Sequence, residues 1–419
     1  MNKLIIVGNG FDLAHGLPTS YHDFVNDFWE HLQENQEKEY TKKFVTIHRD
    51  YNTLFNHNKH VIKSFADFEQ LLKNYCVDHQ LSIDAEQLTV KDKNNTIVFK
   101  FENDLFRMLC QASLNNWSKI EKKYYEILKS LALEEKNCYT KEIQTLNQEF
   151  EDIKLLLQDY LKRNVLDTYD FSPASLGNEE ILQFFNVKYQ KLNANPDSEL
   201  FLEFPPEDHN ALIQDDKELT SKIGLRPHSL FLDFNYTPTA ANYVKQINSR
   251  NETHYGTASI IKIHGEIDSE ENPIQIGYGD EMDEDYSKIE NTPDDYYIDH
   301  IKSFQYLHNS NYKKLINWIE SGKFQVFIFG HSCGLSDRTL LNTIFENHNC
   351  RSIKIFYHKN DKGDNYTELT HNLCKIFTEK GMMRSKVVDK AICVELPQEI
   401  RFPKRKKLQP ILQIKQKIK

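Results

Sequence analysis

The stretch "LIIVGNGFDLAHGLPTSYHDF", Leu4 to Phe24, opens the chain and is the strongest indication of its fold. Its first four residues are apolar and rich in β-branched side chains, and a glycine follows, which is typical of a buried parallel strand. Gly8 and Gly10 then allow the backbone to turn tightly or to approach a ligand closely. The next helix is predicted to begin near Ser20 or Tyr21.

Length and composition limit what this stretch can belong to. With 419 residues the chain is long for one core, which predicts two units or one fold with a large insertion. The net charge of −10 argues against a general nucleic-acid-binding protein. The seven cysteines include no CxxC pair and fit a reducing cytoplasm. No apolar run is long enough to cross a bilayer. We therefore expect a cytoplasmic protein with no membrane partner and no metal site.

The periodicity of apolar residues divides the chain into three regions. From about Ser20 to about Leu192, apolar residues recur at three- and four-residue steps, which predicts helices, apart from a possible hairpin around "TVKDKNNTIVF". From 226 to 398, apolar runs alternate with helical patterns, which predicts βαβ units. The predicted fold is an α/β, Rossmann-like, mostly parallel sheet built from 1–25 plus 226–398, with an all-helical insertion at 26–225 and a basic C-terminal tail at 399–419.

The predicted strands include "HSLFLDF", "ASIIKIHG", "PIQIGYG", "FQVFIFG", "SIKIFYH" and "KAICVEL". The first strand of the chain has no partner in the helical region, so we expect it to join this later sheet.

The glycine turn itself has two interpretations. The backbone N–H groups of Gly8, Asn9 and Gly10 could together bind a phosphate. Gly-x-Gly after a strand is also common as a plain tight turn, and the string lacks both the dehydrogenase and the P-loop spacing. Asp12 could cap the turn that follows or contact a ribose hydroxyl.

Polar residues end two of the later strands. Asn235 in "FLDFNYTPT" lies where ligands bind in open α/β sheets, although it could instead cap the next helix. His264 in "IIKIHGEI" could accept a proton near neutral pH, although a lone histidine at a strand end is more often structural.

The string "VFIFGHSCGLSD" contains a formal G-x-S-x-G nucleophile elbow at Gly330 to Gly334. A serine hydrolase would then need Asp361 and His371 as the rest of a triad, and no oxyanion motif precedes the elbow. The other interpretation is a second loop facing a phosphate or ribose, formed by Gly330 and Ser332, with Ser336 capping the following helix.

Taken together, the ends of four predicted strands in one sheet carry either a glycine turn or a polar side chain. The carboxyl ends of parallel strands open on the same edge, where doubly wound folds bind nucleotides.

In this order the strings resemble the sirtuin motifs. "GNGFDLAHGLP" is similar to the sirtuin opening GAGISxxxGIP, "FNYTPT" to TQNID or TTNYD, "IHG" to the catalytic LHG, and "GHSCG" to the GTS or GYS loop. The complete set, with "FADFE", also resembles the phage abortive-infection AbiH family through most of the chain up to about Val394.

Two departures from the sirtuin pattern refine the expectation. The region from His264 to Gly330 contains no cysteine, so the zinc ribbon of protein deacetylases is missing. Thr237 stands where TTNYD has its aspartate, and Asp12 could supply that carboxylate instead. The resemblance therefore points to the NAD-cleaving domains of bacterial defence proteins, with NAD as substrate and neither zinc nor a prosthetic group.

The resemblance also implies a role for each residue. Gly8, Asn9, Gly10, Asp12, Gly330 and Ser332 would hold the pyrophosphate and ribose. Asn235 would position a water or the nicotinamide ribose, and His264 would act as the base. The resemblance further implies a homo-oligomer, and a phage protein or partner chain could be the trigger. A non-catalytic nucleotide sensor in phage defence is the alternative.

Overall fold

The structure is a computed structural model, and it describes residues 1–56, 61–112, 117–133, 139–172, 179–185, 199–220, 227–250 and 256–405. Its strands are β1 Asn2–Val7, β2 Val45–Ile47, β3 Ser82–Asp84, β4 Thr89–Lys91, β5 Ile97–Phe101, β6 His228–Asp233, β7 Thr257–Lys262, β8 Phe324–Phe329, β9 Cys350–Tyr357, β10 Lys359–Asn360, β11 Gly363–Asp364 and β12 Val394–Glu395. Its helices are α1 Asn9–Ala14, α2 Tyr21–Glu30, α3 Leu32–Asn35, α4 Glu39–Lys42, α5 Phe65–His79, α6 Asp104–Gln111, α7 Trp117–Leu133, α8 Thr140–Leu161, α9 Glu179–Phe185, α10 Glu199–Leu202, α11 His209–Thr220, α12 Thr239–Arg250, α13 Tyr286–Glu290, α14 Lys302–Gln305, α15 Asn311–Glu320, α16 Arg338–Phe345, α17 Tyr366–Ile376 and α18 Lys380–Lys386.

The main sheet has six strands in the order β12-β9-β8-β1-β6-β7, and every neighbouring pair is parallel. The predicted parallel α/β sheet is confirmed, including the pairing of the first strand with strands more than 200 residues away. β1 lies between β6 and β8, and its side chains alternate between two cores. Ile5 and Val7 pack on one face, while Leu4 and Ile6 pack on the other. Burial on both faces explains why the opening run is apolar without interruption.

One predicted strand is wrong. The segment "PIQIGYG" is an irregular loop that returns over the ends of the strands, where Gln275 N–H donates to the His264 carbonyl at 2.8 Å and Gly279 N–H to the Ser336 carbonyl at 2.9 Å. Ile274 and Ile276 are buried there, so the apolar pattern reflects a buried loop and not a sheet.

The insertion is not all-helical, which corrects the second part of the predicted fold. It contains a four-stranded antiparallel sheet in the order β2-β5-β4-β3. Only the β4–β5 hairpin was predicted, and its turn at Asn95 has a φ of +66°. The other strands are three residues long, too short to show an alternating pattern. The insertion also shares the continuous core that covers one face of the main sheet.

The beginning of the basic C-terminal tail packs on the rest of the chain. Ile400 and Phe402 are buried, Asp170 N–H donates to the Pro403 carbonyl at 2.8 Å, and Arg401 donates to the Ala14 carbonyl at 3.0 Å. The remainder of the predicted tail, 406–419, lies outside the described residues.

The opening glycines are required by close backbone packing. Gly8 N–H donates to the Phe329 carbonyl at 3.0 Å and Gly10 N–H to the Gly330 carbonyl at 2.8 Å. A Cβ on Gly330 would lie 2.1 Å from the amide nitrogen of Phe11, and the φ of Gly330 is +65°. The first glycine turn therefore rests directly on the turn after β8.

Substitution of Gly330 by alanine should accordingly lower the free energy of unfolding by about 2 to 4 kcal/mol, because the added carbon meets backbone and the φ is unfavourable for an L residue. Urea denaturation measures this. Gly322→Ala is the control, since a Cβ there meets nothing within 4 Å. Equal losses in the two variants would contradict the prediction.

Candidate functional site

A pocket of about 230 Å³ lies at the carboxyl edge of the sheet, beyond the ends of β1, β6, β7 and β8. All the residues predicted to form a site line it: Gly8, Asn9, Gly10, Asp12, Asn235, His264, Gly330 and Ser332. The insertion forms the opposite wall with Trp117, Ser118 and Glu121 from α7 and Leu157 and Leu161 from α8. The pocket therefore combines a polar wall of strand ends with a largely apolar wall from the insertion.

Several polar groups predicted to meet a ligand instead hold the strand ends together. The N–H groups of Gly8 and Gly10 are bound to backbone carbonyls, as described above. The side-chain amide of Asn235 donates to the Gly8 carbonyl at 3.0 Å, and the next helix begins only at Thr239, so Asn235 is not its cap. The N–H of Asn9 and the amide oxygen of Asn235 are the groups of this set that could meet a ligand.

Asp12 lies within the predicted site, where it is 1% exposed. The hydroxyl of Thr237 donates to its carboxylate at 2.8 Å, so the carboxylate and the threonine that replaces the sirtuin-type aspartate are in contact. Burial raises the pKa of Asp12 to about 7, and the nearby Asp233 adds to this rise, while the hydroxyls of Thr239 and Thr237 oppose it. Asp12 therefore titrates near neutral pH.

His264 is buried against Phe234, and its Nε2 lies 3.1 Å from Asp337 Oδ1. Because a carboxylate only accepts hydrogen bonds, Nε2 carries the proton and Nδ1 is the nitrogen that can accept one. Burial lowers the pKa of His264, with a further lowering from Lys302, against the opposing effect of Asp337. The imidazole is therefore neutral at pH 7.

His331 shares the same carboxylate. Its Nε2 is 3.6 Å from Asp337 Oδ2, and its Nδ1 accepts the N–H of Cys333 at 3.0 Å. Lys302 Nζ lies 2.7 Å from Asp337 Oδ1 and 2.9 Å from Glu121 Oε1, and these contacts complete the group. Lys302 and the histidines hold the pKa of Asp337 well below its usual range, although burial alone would raise it. The site thus contains a buried carboxylate that stays ionised between two histidines.

Sequence reasoning does not identify four members of this group: Glu121, Lys302, His331 and Asp337. His331 and Asp337 both lie in "VFIFGHSCGLSD", but neither belongs to the G-x-S-x-G pattern or to the glycine and serine positions expected to face a ligand. Glu121 lies in a segment that shows only helical periodicity, and no motif includes Lys302.

The hydrolase interpretation of "GHSCG" is not supported by the geometry. Ser332 is exposed, and Asp361 and His371 are exposed residues that do not line the pocket. Ser336 does not cap the next helix: its hydroxyl is buried and has no hydrogen-bond partner among the described residues. No described group of His, Cys, Asp or Glu side chains is arranged to hold a metal ion. Among the residues that the structure describes, no helix is long and apolar enough to cross a membrane.

The parallel sheet with a pocket at its carboxyl edge places this chain in the class of open α/β proteins, in which strand-end loops form the usual site for a ligand. The family model described as "Bacteriophage abortive infection AbiH" matches residues 4–359. The chain belongs to this family, which confirms that resemblance and indicates a role in phage abortive infection. No match was found among curated proteins.

The raised pKa of Asp12 predicts a pH-dependent stability. Asp12 binds its proton more tightly in the folded chain, at a pKa of about 7, than in the unfolded chain at about 3.9. Its contribution to the free energy of unfolding therefore falls as the pH rises from about 4 to 7. Asp12→Asn should raise the free energy of unfolding by about 1 to 4 kcal/mol at pH 8 and change it little at pH 4.

Denaturation at both pH values tests this prediction, with the exposed Asp361→Asn as control. The same effect of Asp12→Asn at pH 4 and pH 8 would show that Asp12 does not titrate in this range.

Proposed function

We propose that this chain cleaves NAD to nicotinamide and ADP-ribose as its activity in abortive infection. The observation that carries the proposal is the position of His264, whose Nε2 is held by the buried Asp337 in a pocket lined by Gly8, Gly10 and Asn235. A neutral histidine oriented by a carboxylate can accept a proton through its other nitrogen.

The strand order supports a dinucleotide as the ligand. Numbered along the chain within the main sheet, the strands lie in the order 6-5-4-1-2-3, which is the order of doubly wound dinucleotide-binding folds read from the other edge. The pocket lies beside the first strand, where the order reverses. In such sheets the ligand binds at this switch point.

The negative charges near the pocket would favour cleavage of the bond between nicotinamide and ribose. When the bond between nicotinamide and ribose is cleaved, positive charge develops at the ribose carbon, and water then adds there. The ionised Asp337 and, above about pH 7, Asp12 provide negative charge close to the pocket. His264 would take the proton from the water or from a ribose hydroxyl.

In sirtuin-type sites an aspartate contacts the ribose, and Thr237 stands at its position in this chain. Asp12 is placed to make that contact instead. Its carboxylate already accepts the Thr237 hydroxyl, and both residues line the pocket. A ribose hydroxyl could be bound at the same carboxylate.

His264→Ala should lower NAD cleavage by about 10²- to 10⁴-fold, the usual cost of a lost general base. The assay follows nicotinamide release by purified protein, with and without lysate of infected cells. His371→Ala is the matched control, because this histidine is exposed and lies outside the pocket. If the wild-type protein protects cells but releases no nicotinamide in either condition, the proposal fails.

Binding without catalysis is the second candidate function, and one observation favours it. The side-chain amide of Asn235, which catalysis would use to position a water, donates instead to the Gly8 carbonyl. A His264→Ala variant that retains full protection and NAD binding would support the sensor over the enzyme.

A further inference from the structure

One face of α7 packs against the loop after β7, at residues 278–285. Tyr125 stacks on Tyr278 with ring centroids 4.1 Å apart, and Lys129 forms ion pairs with Asp283 at 3.0 Å and with Asp285 at 2.8 Å. Glu121 lies one helical turn before Tyr125 on the same face, at the pocket end. The insertion therefore reaches the site through an ordered set of contacts.

Glu121 connects this row of contacts on α7 to the charged group around Asp337, because it forms an ion pair with Lys302. Its carboxylate is 2.9 Å from Lys302 Nζ through Oε1, and Oε1 also accepts the N–H of Gly277 at 3.3 Å. Lys302 is fully buried, and its ammonium is held between Glu121 and Asp337. The charge that Lys302 presents to Asp337 is thus shared with a residue of the insertion.

We propose that Glu121 is a positioning residue through which the insertion sets the basicity of His264, by taking up part of the charge of Lys302. The proposal rests on the proposed function for its catalytic consequence, but the electrostatic link stands on the geometry of the four side chains. With Glu121 in place, Lys302 neutralises less of the charge of Asp337, and Asp337 stabilises the protonated form of His264 more strongly. Without it, Lys302 is balanced by Asp337 alone, and His264 becomes a weaker base.

Charged and titratable groups from several described segments lie around His264. Asp337 and Glu121 favour the protonated imidazole and Lys302 disfavours it. His331 shares Asp337. Further groups act on Asp337 or Glu121 from neighbouring segments: the phenols of Tyr236 and Tyr306 and the thiol of Cys333. Burial keeps these last three neutral because it raises the pKa of each, so their net charge does not offset that of Glu121.

The test is the titration of His264 by NMR in the full chain with labelled histidine, assigned with His264→Ala. Glu121→Gln should lower the pKa of His264 by about 0.5 to 1, because it removes a nearby opposite charge. Adding Lys302→Gln to Glu121→Gln should raise the pKa again, above its wild-type value, because Asp337 then acts unopposed. These opposite directions would not arise from loss of packing.

Glu126→Gln is the matched control, since Glu126 lies on the same helix and pairs with Lys122 and Lys123 at the surface. If Glu121→Gln does not fold, Glu121→Asp replaces it, because the shorter side chain keeps the charge and withdraws it from Lys302. Glu121→Asp should lower the pKa of His264 by a smaller amount.

The nicotinamide assay runs in parallel with the titration. In active protein, Glu121→Gln should lower kcat about 3- to 10-fold with KM unchanged and move the acid limb of the pH profile to lower pH. A shifted pKa of His264 in a protein that never cleaves NAD would support the electrostatic link between Glu121 and His264 and would contradict the proposed function. An unchanged pKa of His264 in Glu121→Gln would overturn the link, whether or not NAD is cleaved.

Discussion

The contact on which the site depends is the backbone approach between the turn after β1 and the turn after β8. Gly8 and Gly10 donate their N–H groups to the carbonyls of Phe329 and Gly330, and no side chain could fit between these segments. The Asn235 amide adds the end of β6 to the same assembly through the Gly8 carbonyl. Three strand ends are thereby fixed at one edge, and the pocket is the space that they leave beside the insertion.

The cost of burying charge determines which side chains pair within the site. Asp337 and Lys302 are almost inaccessible to water, and such groups are tolerated only with close partners of opposite charge. Glu121 and the two histidines supply the remaining contacts. Removal of one member leaves another charge unpaired, so the group acts as a unit. A change at Glu121 of the insertion is therefore expected to change the pKa of His264.

Asp12 is a second buried carboxylate that lines the pocket. Asp337 stays ionised because Lys302 is close, whereas burial and the nearby Asp233 raise the pKa of Asp12 and Lys262 only partly opposes them. Two carboxylates of one pocket therefore have pKa values on opposite sides of their ordinary value. Separation of this kind allows different roles at one pH.

The parallel sheet follows from the sequence, because strands buried on both faces are apolar runs ended by glycine or a polar residue, as in "LIIVGNG". It also brought Gly8, Asp12, Asn235 and His264 to one edge, since carboxyl ends of parallel strands meet there. Strands β2 and β3 of the insertion and the loop at 273–279 were not predictable, because an isolated three-residue strand and a buried loop have no period of their own. Only the tertiary structure decided that Asp337, Lys302 and Glu121 join His264, because a buried charge is placed by partners far apart in the chain.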